Sequence, residues 1–333
     1  MLNLGIIGCG YWGPKIVRNF YSLPDCKVIA VCDKRPEAVQ PVLDAYPGIA
    51  WTPDACDIIT SKAIDAVAIV TPVSTHFALA RQCLAQGKHV FVEKPLAQTV
   101  AQAEQLIAQA EQKRLTLMVD HTFLFTGAVR KIKELMAQHL LGAVRYYDAV
   151  RVNLGLFQHD INVLWDLAPH DLSIMDYLLA TTPEAVIATG AAHINGLEDV
   201  AYLTLYFPNS LLAHLHVNWL SPVKVRTTLI GGEHRMVVWN DLEHDEKVKV
   251  YDKGVSVTTQ QGVYELLVSY RSGDMWAPKL EQAEALKVEA QYFLDCIAHN
   301  TRPVNDGAAG WRVVQVLEAA DRSLNQRGKL VQL

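Results

Sequence analysis

Leu4-Gly5-Ile6-Ile7-Gly8-Cys9-Gly10-Tyr11-Trp12-Gly13-Pro14 decides how the first third of this chain folds. A short apolar run delivers the backbone to three glycines spaced GxGxxG, and a helix-like stretch follows. In that spacing Gly8 permits a tight turn, Gly10 lets backbone approach a pyrophosphate, and Gly13 lets the helix lie close to the strand. The anion rests on the free N–H groups of the helix N-terminus, where Pro14 loses nothing by lacking one. Asp33 comes 20 residues after Gly13, at the end of the second apolar run. A carboxylate there accepts hydrogen bonds from ribose hydroxyls, which favours NAD; the adjacent Lys34 and Arg35 leave NADP open.

Outward from this turn, apolar runs at Leu4–Ile7, Lys27–Val31, Ala66–Val70, His89–Val92 and Thr116–Val119 alternate with helical patterns at Pro14–Ser22, Arg35–Tyr46, Ser74–Gln86 and Val100–Lys113. Such alternation predicts a doubly wound parallel sheet covered on both faces. Past about residue 120 the pattern becomes period-2 runs separated by short turn signals at Pro208-Asn209, Pro222, Gly231-Gly232 and Asn240-Asp241, with one long helix over Ile161–Leu179 and a helical tail. The expected organisation is a Rossmann domain over 1–120 and a C-terminal α/β domain over 121–333 built on a large open, mostly antiparallel sheet.

The chain has 333 residues, half of them hydrophobic, enough for two buried cores. A net charge of −5 argues against a broad grip on nucleic acid or an anionic membrane. No run is long and apolar enough for a membrane span, and the N-terminus reads as a strand, so a cytoplasmic protein is expected. None of the six cysteines makes a metal-type spacing, which predicts reduced thiols and no metal site. His214 and His216 lie two apart on a predicted strand without an evident third ligand.

Two further stretches carry chemistry. Glu93-Lys94-Pro95 falls at the carboxyl end of a strand, the edge where ligands bind in open α/β sheets, and the proline fixes the lysine's direction. Thr71, Pro72 and His76 follow the preceding strand and face the same crevice. Asp166 and His170 are four apart in the long helix and share one face, as a proton-transfer pair requires; Pro169 between them predicts a break or an N-terminal turn. Asp171 and Asp176 read as a local cap and a solvated face. His121, Asn153 and His159 are candidates for substrate contact.

Together, Gly8-Cys9-Gly10-Tyr11-Trp12-Gly13, Glu93-Lys94-Pro95 and Asp166-x-x-x-His170 resemble the Gfo/Idh/MocA family of sugar and inositol oxidoreductases. The resemblance implies NAD held by Gly8, Gly10, Tyr11, Trp12, Gly13, Asp33, Lys34, Thr71, Pro72, His76, Glu93 and Lys94. It implies that Lys94 hydrogen-bonds the reacting oxygen, that His170 is the acid/base with Asp166 its companion, and that the Lys94–Pro95 bond is cis. Gly-Tyr-Trp-Gly-Pro, Leu-Trp-Asp-Leu-Ala-Pro-His-Asp and Tyr270-Arg271-Ser272-Gly273-Asp274 look like the branch that oxidises nucleotide-activated amino sugars at C3, in surface-polysaccharide precursor metabolism, with Arg271 near substrate. His159-Asp160-Ile161-Asn162-Val163 replaces that family's usual glycine-rich stretch. A homo-oligomer, dimer or tetramer, formed through the C-terminal sheet is implied. The alternatives are an inositol or free-sugar dehydrogenase and a non-catalytic dinucleotide sensor.

Overall fold

The computed structural model describes residues 1–155, 157–257 and 268–333, the side chains of 255–271 excepted. It contains two compact units. The first comprises Met1–Phe125 and Ala283–Glu318. In chain order it lays down β1 (Leu2–Ile7), α1 (Gly13–Tyr21), β2 (Cys26–Cys32), α2 (Pro36–Ala45), β3 (Ala50–Thr52), α3 (Ala55–Thr60), β4 (Ala66–Ile69), α4 (Val73–Ala85), β5 (His89–Glu93), α5 (Val100–Lys113) and β6 (Leu117–Asp120). The strands form a six-stranded parallel sheet in the order β3-β2-β1-β4-β5-β6. Its central strands are buried on both faces, which is why they read as unbroken apolar runs rather than alternating ones. Strand β3 and helix α3 were not legible: the strand is a short edge with two exposed residues. The helix stands on one Asp54 cap, whose carboxylate accepts from Cys56 N–H.

Residues 283–318 also pack into this unit, so the chain does not divide at a single cut near 120. The helix Ala285–His299 returns Phe293 to the core, where it meets Phe20 and Phe91 edge to face with ring centroids 6.2 and 5.6 Å away. Such pairs stabilise beyond the area they bury.

The second unit comprises Thr126–Gln282 and Ala319–Leu333. It begins with α6 (Gly127–Ala137), β7 (Val144–Leu154) and α7 (Val163–Leu179). The strands β8 (Ala185–Ala191), β9 (Val200–Tyr206), β10 (Leu212–Asn218), β11 (Leu220–Gly232), β12 (Met236–Asn240), β13 (Val248–Tyr251), β14 (Gly254–Val257), β15 (Val268–Arg271), β16 (Met275–Trp276) and β17 (Val331–Gln332) follow. Among the described residues nine strands make one mixed sheet, in the order β16-β13-β12-β11-β7-β10-β9-β8-β17, with β14 and β15 a separate hairpin. Among the described residues of this sheet only β7 and β10 pair in parallel.

Strict alternation shows the two faces. On β10, Ala213, Leu215 and Val217 are buried, while Leu212, His214 and His216 point the other way. The two histidines stack on Tyr202 of β9 rather than converge on a metal, with ring centroids 6.2 and 4.4 Å apart. Pro222 does not end a strand as expected: it lies inside β11, where the register slips between Leu220 and Val225 and no ladder bond is demanded of it. Pro169 does not break α7 either, which runs through it to Leu179. Among the described residues no helix is long and apolar enough to cross a membrane.

Candidate active site

In the first unit the glycine turn is held from both sides. Gly8 adopts φ +105°, and a methyl group there would lie 2.2 Å from the Val70 carbonyl oxygen. A methyl group at Gly13 would lie 2.5 Å from the Gly8 carbonyl oxygen. Packing therefore dictates both glycines. Gly10 is different: a methyl group there would meet nothing within 4 Å, and no left-handed backbone demands glycine. The space it leaves is what a closely approaching group would fill. Trp12, at the N-cap of α1, makes no side-chain cap, so the first N–H groups of the helix keep no side-chain acceptor. Tyr11 and Trp12 are exposed, and the Lys15 ammonium sits 4.0 and 3.9 Å over their rings.

Asp33 closes this loop. Its Oδ2 accepts from Cys9 N–H at 2.9 Å, and its Oδ1 accepts from Arg35 N–H at 3.0 Å and from Arg35 Nε at 3.3 Å. Hydrogen bonds to Arg35 and Cys9 outweigh partial burial and hold the carboxyl below its usual range, so it is ionised. Lys34 is exposed beside it. The residues present thus fit a dinucleotide: an uncapped helix end, an unfilled Gly10 and a fixed carboxylate.

At the next strand ends, Thr71 and Thr75 join hydroxyls at 2.7 Å, and Pro72 forms the N-cap of α4. His76 was expected to face the cofactor. It is buried, with Nδ1 2.9 Å from the Pro95 carbonyl and Nε2 2.8 Å from the Thr71 carbonyl. Burial lowers its pKa, so the ring is neutral and its one N–H donates to one of these carbonyls while the other nitrogen merely faces the second; enclosed between the two loops, it shapes the rim. The Lys94–Pro95 bond is cis. Lys94 is half-buried, and its backbone N–H donates to Glu93 Oε2 at 3.0 Å. Glu93 is itself buried. His121 is also enclosed, with neither ring nitrogen hydrogen-bonded; burial, helped by Arg312 and Lys94, pushes it down to about 3 and keeps it neutral.

In the second unit the start of α7 organises the other candidates. Asn162 caps it, accepting from Leu164 and Trp165 N–H at 3.1 and 3.3 Å and donating to Glu198 and Asp321 at 3.2 Å each. Asp166 and His170 follow one turn apart on an unbroken helix, both half-buried. Asp166 Oδ2 accepts from the Trp219 indole N–H at 3.1 Å. Trp219, fully buried, also bonds through its backbone to Asp199 and Gly155. Sequence reasoning passed over Trp219 and Asp199; Gly155 was the available signal, since a methyl group there would lie 2.5 Å from the indole ring. Asp199 in turn holds His193 Nδ1 at 2.6 Å.

Asp171 is not a local cap. It faces Arg151 of β7 in a bidentate pair at 2.7 and 3.0 Å, both side chains buried. Arg151 sits at an inward position of β7, and a buried guanidinium needs a carboxylate; that parity was a readable clue. Asn153 is half-buried on the same strand, His159 is exposed in the following loop, and Arg271 ends β15 with its side chain outside the described residues. Among the described residues no three His, Cys, Asp or Glu side chains are arranged to hold a metal ion.

A family profile described as "Oxidoreductase family, NAD-binding Rossmann fold" matches residues 2–121, and one described as "GFO/IDH/MocA C-terminal domain" matches residues 129–238. The chain is 28% identical over 322 residues to a UDP-N-acetylglucosamine 3-dehydrogenase of Acidithiobacillus ferrooxidans, covering 94% of each. It is 23% identical to a myo-inositol 2-dehydrogenase of Thermotoga maritima, covering 98% of this chain and 97% of that protein. A solved structure of the Acidithiobacillus enzyme superposes with TM-score 0.83 at 26% identity, covering 98% of each chain. The fold also matches levoglucosan dehydrogenase in complex with NADH, TM-score 0.84, at 19% identity over 100% of this chain and 98% of that one.

Proposed function

The chain belongs to the Gfo/Idh/MocA oxidoreductases, and from that premise we propose that it is an NAD-dependent dehydrogenase oxidising a sugar ring hydroxyl, namely C3 of a UDP-N-acetyl amino sugar. The observation that carries the reading is the glycine loop. Of its glycines, Gly10 alone is demanded by nothing among the described residues, and it opens onto an uncapped helix end beside the ionised Asp33.

Bound NAD supplies a nicotinamide ring that takes up a hydride. Asp33 receives the ribose hydroxyls; as an anion braced by Arg35 it disfavours the extra phosphate of NADP. Lys94 stabilises the negative charge that grows on the substrate oxygen, more strongly than it stabilises the neutral alcohol. His170 accepts the hydroxyl proton. Asp166, held by Trp219, sets its tautomer and raises its basicity. Asn153, His159 and Arg271 are the residues we assign to substrate contact. We assign cofactor binding to residues 1–120 with the returning segment 283–318, and substrate binding to the rest.

A homo-oligomer formed through the second unit's sheet is supported by the aromatic side chains Tyr146, Tyr202 and Tyr206 exposed on that sheet. Six free cysteines support a cytoplasmic setting.

The test is NAD reduction by the purified chain, followed by near-ultraviolet absorbance, with UDP-N-acetylglucosamine, myo-inositol and free glucose in parallel. Turnover with the nucleotide sugar alone is expected. Turnover with inositol alone would transfer the assignment to the second reading, which the similarity to the Thermotoga enzyme supports. NAD binding without turnover of any sugar would indicate a sensor.

A further inference from the structure

Next to Lys94 the first unit buries three acids from three elements. Glu93 ends β5, Asp120 ends β6, and Glu289 lies in the second turn of the helix Ala285–His299; all are 8% exposed or less. Glu93 and Asp120 are register partners on neighbouring parallel strands. Asp120 lies within side-chain hydrogen-bonding reach of Glu93 and of Glu289.

An ionised carboxylate has no proton to donate, so two of them cannot hydrogen-bond to each other. The neutral donors around this cluster do not complete it. Lys94 N–H serves Glu93 Oε2, Thr122 N–H serves Asp120, and Asn305 Nδ2 serves Glu289 Oε1 at 2.9 Å. Glu289 Oε2 is enclosed without a donor, and the Thr122 hydroxyl beside Glu289 closes no hydrogen bond of ordinary geometry. The cation that acts on Glu93 and Asp120 is Lys94. The three carboxyls are not arranged to hold a metal ion.

We propose that Glu93, Asp120 and Glu289 form one proton-sharing chain that holds two protons and a single negative charge near neutral pH, with Asp120 the ion between two acids, and that Glu289 is thereby a positioning residue fixing the charge beside Lys94. A proton on Glu289 supplies the donor that its contact with Asp120 lacks; a second on Glu93 supplies the other. Burial and the Asp120 charge push Glu93 and Glu289 well above the carboxylate range, while burial pushes Asp120, which accepts from both, to about 6. The part played beside Lys94 rests on the dehydrogenase reading; the proton count does not.

The test is infrared spectroscopy of the full chain, reading the carbonyl stretch of protonated carboxyl groups at about pH 7.5, where exposed carboxyls are ionised. The band is expected in the wild type, and Glu289→Gln, which keeps the acid's hydrogen-bonding shape, is expected to lose about half of it, one acid of the two. No band in the wild type, or an undiminished one in Glu289→Gln, overturns the proposal. A second readout is the melting temperature between about pH 7 and 9. Acids whose folded pKa is raised lose their contribution as pH rises through it, so the wild-type Tm should fall there and that of Glu289→Gln should fall less. Equal slopes overturn the proposal. If no sugar reduces NAD, the function falls while the band still decides the proton count.

Discussion

An alanine methyl group at Gly8 or Gly13 would sit inside a neighbouring backbone, whereas one at Gly10 would point into open space. The three glycines should therefore separate by experiment. Gly8→Ala and Gly13→Ala are expected to lower the Tm or abolish folding. Gly10→Ala should melt like the wild type yet lose most of the thermal shift produced by NAD, a shift that mass action makes about 2.7 kcal/mol at a hundredfold excess over Kd. Parallel melts with and without NAD check this. Lys94→Ala should lose roughly 10²-fold or more in kcat, the cost of one preorganised donor, and its Tm should fall because the buried Glu93–Asp120 carboxyls lose a neighbouring cation. Near-normal turnover of that variant would remove Lys94 from the chemistry. At Arg151, Asp171→Leu removes the bidentate partner of a buried guanidinium and should destabilise by about 3–5 kcal/mol, read from denaturant unfolding.

Helix α7 shows what a sequence tells about an element and what it withholds. Its span, its apolar face and the Asp166–His170 spacing were plain from period and offset. Its passage through Pro169 was not, because the rule that proline breaks a helix is local, whereas Leu164, Ala168, Leu172 and Met175 bury the turns on both sides of it. Asn162 shows the same limit: the sequence offered it only as part of an unusual stretch, and its role as a cap joined to Glu198 and Asp321 depends on residues far away in the chain. Asn162→Ala should cost about 1 kcal/mol for the lost cap alone, measured by denaturant unfolding. The parallel sheet was readable because strands buried on both faces leave continuous apolar runs. The short edge β3, the slipped register of β11 and the two-residue strands β16 and β17 leave no such trace.

Across the whole molecule the buried titratable groups pull stability in opposite directions with pH. His76, His89 and His121 have folded pKa values lowered mainly by burial, so their contribution is present above about 6.5 and is lost as pH falls, toward about 3 for His121. The acids around Asp120 act in the reverse sense. A Tm that peaks near neutrality follows, and His121→Phe should flatten the acidic limb; melts from about pH 5 to 8 decide it. The two-unit organisation has a consequence for synthesis. An N-terminal domain ordinarily completes its fold while the rest of the chain is still being made. Here Phe293 and Glu289 reach the first unit only after the residues up to Gln282 have been translated. Asp321 and Ser323, which bond Trp165 and Ala188, reach the second later still. Neither unit can be finished on the ribosome until the codons for residues 283–333 are read, so a stop codon placed just before residue 283 would leave two incomplete halves rather than one sound domain and one missing one.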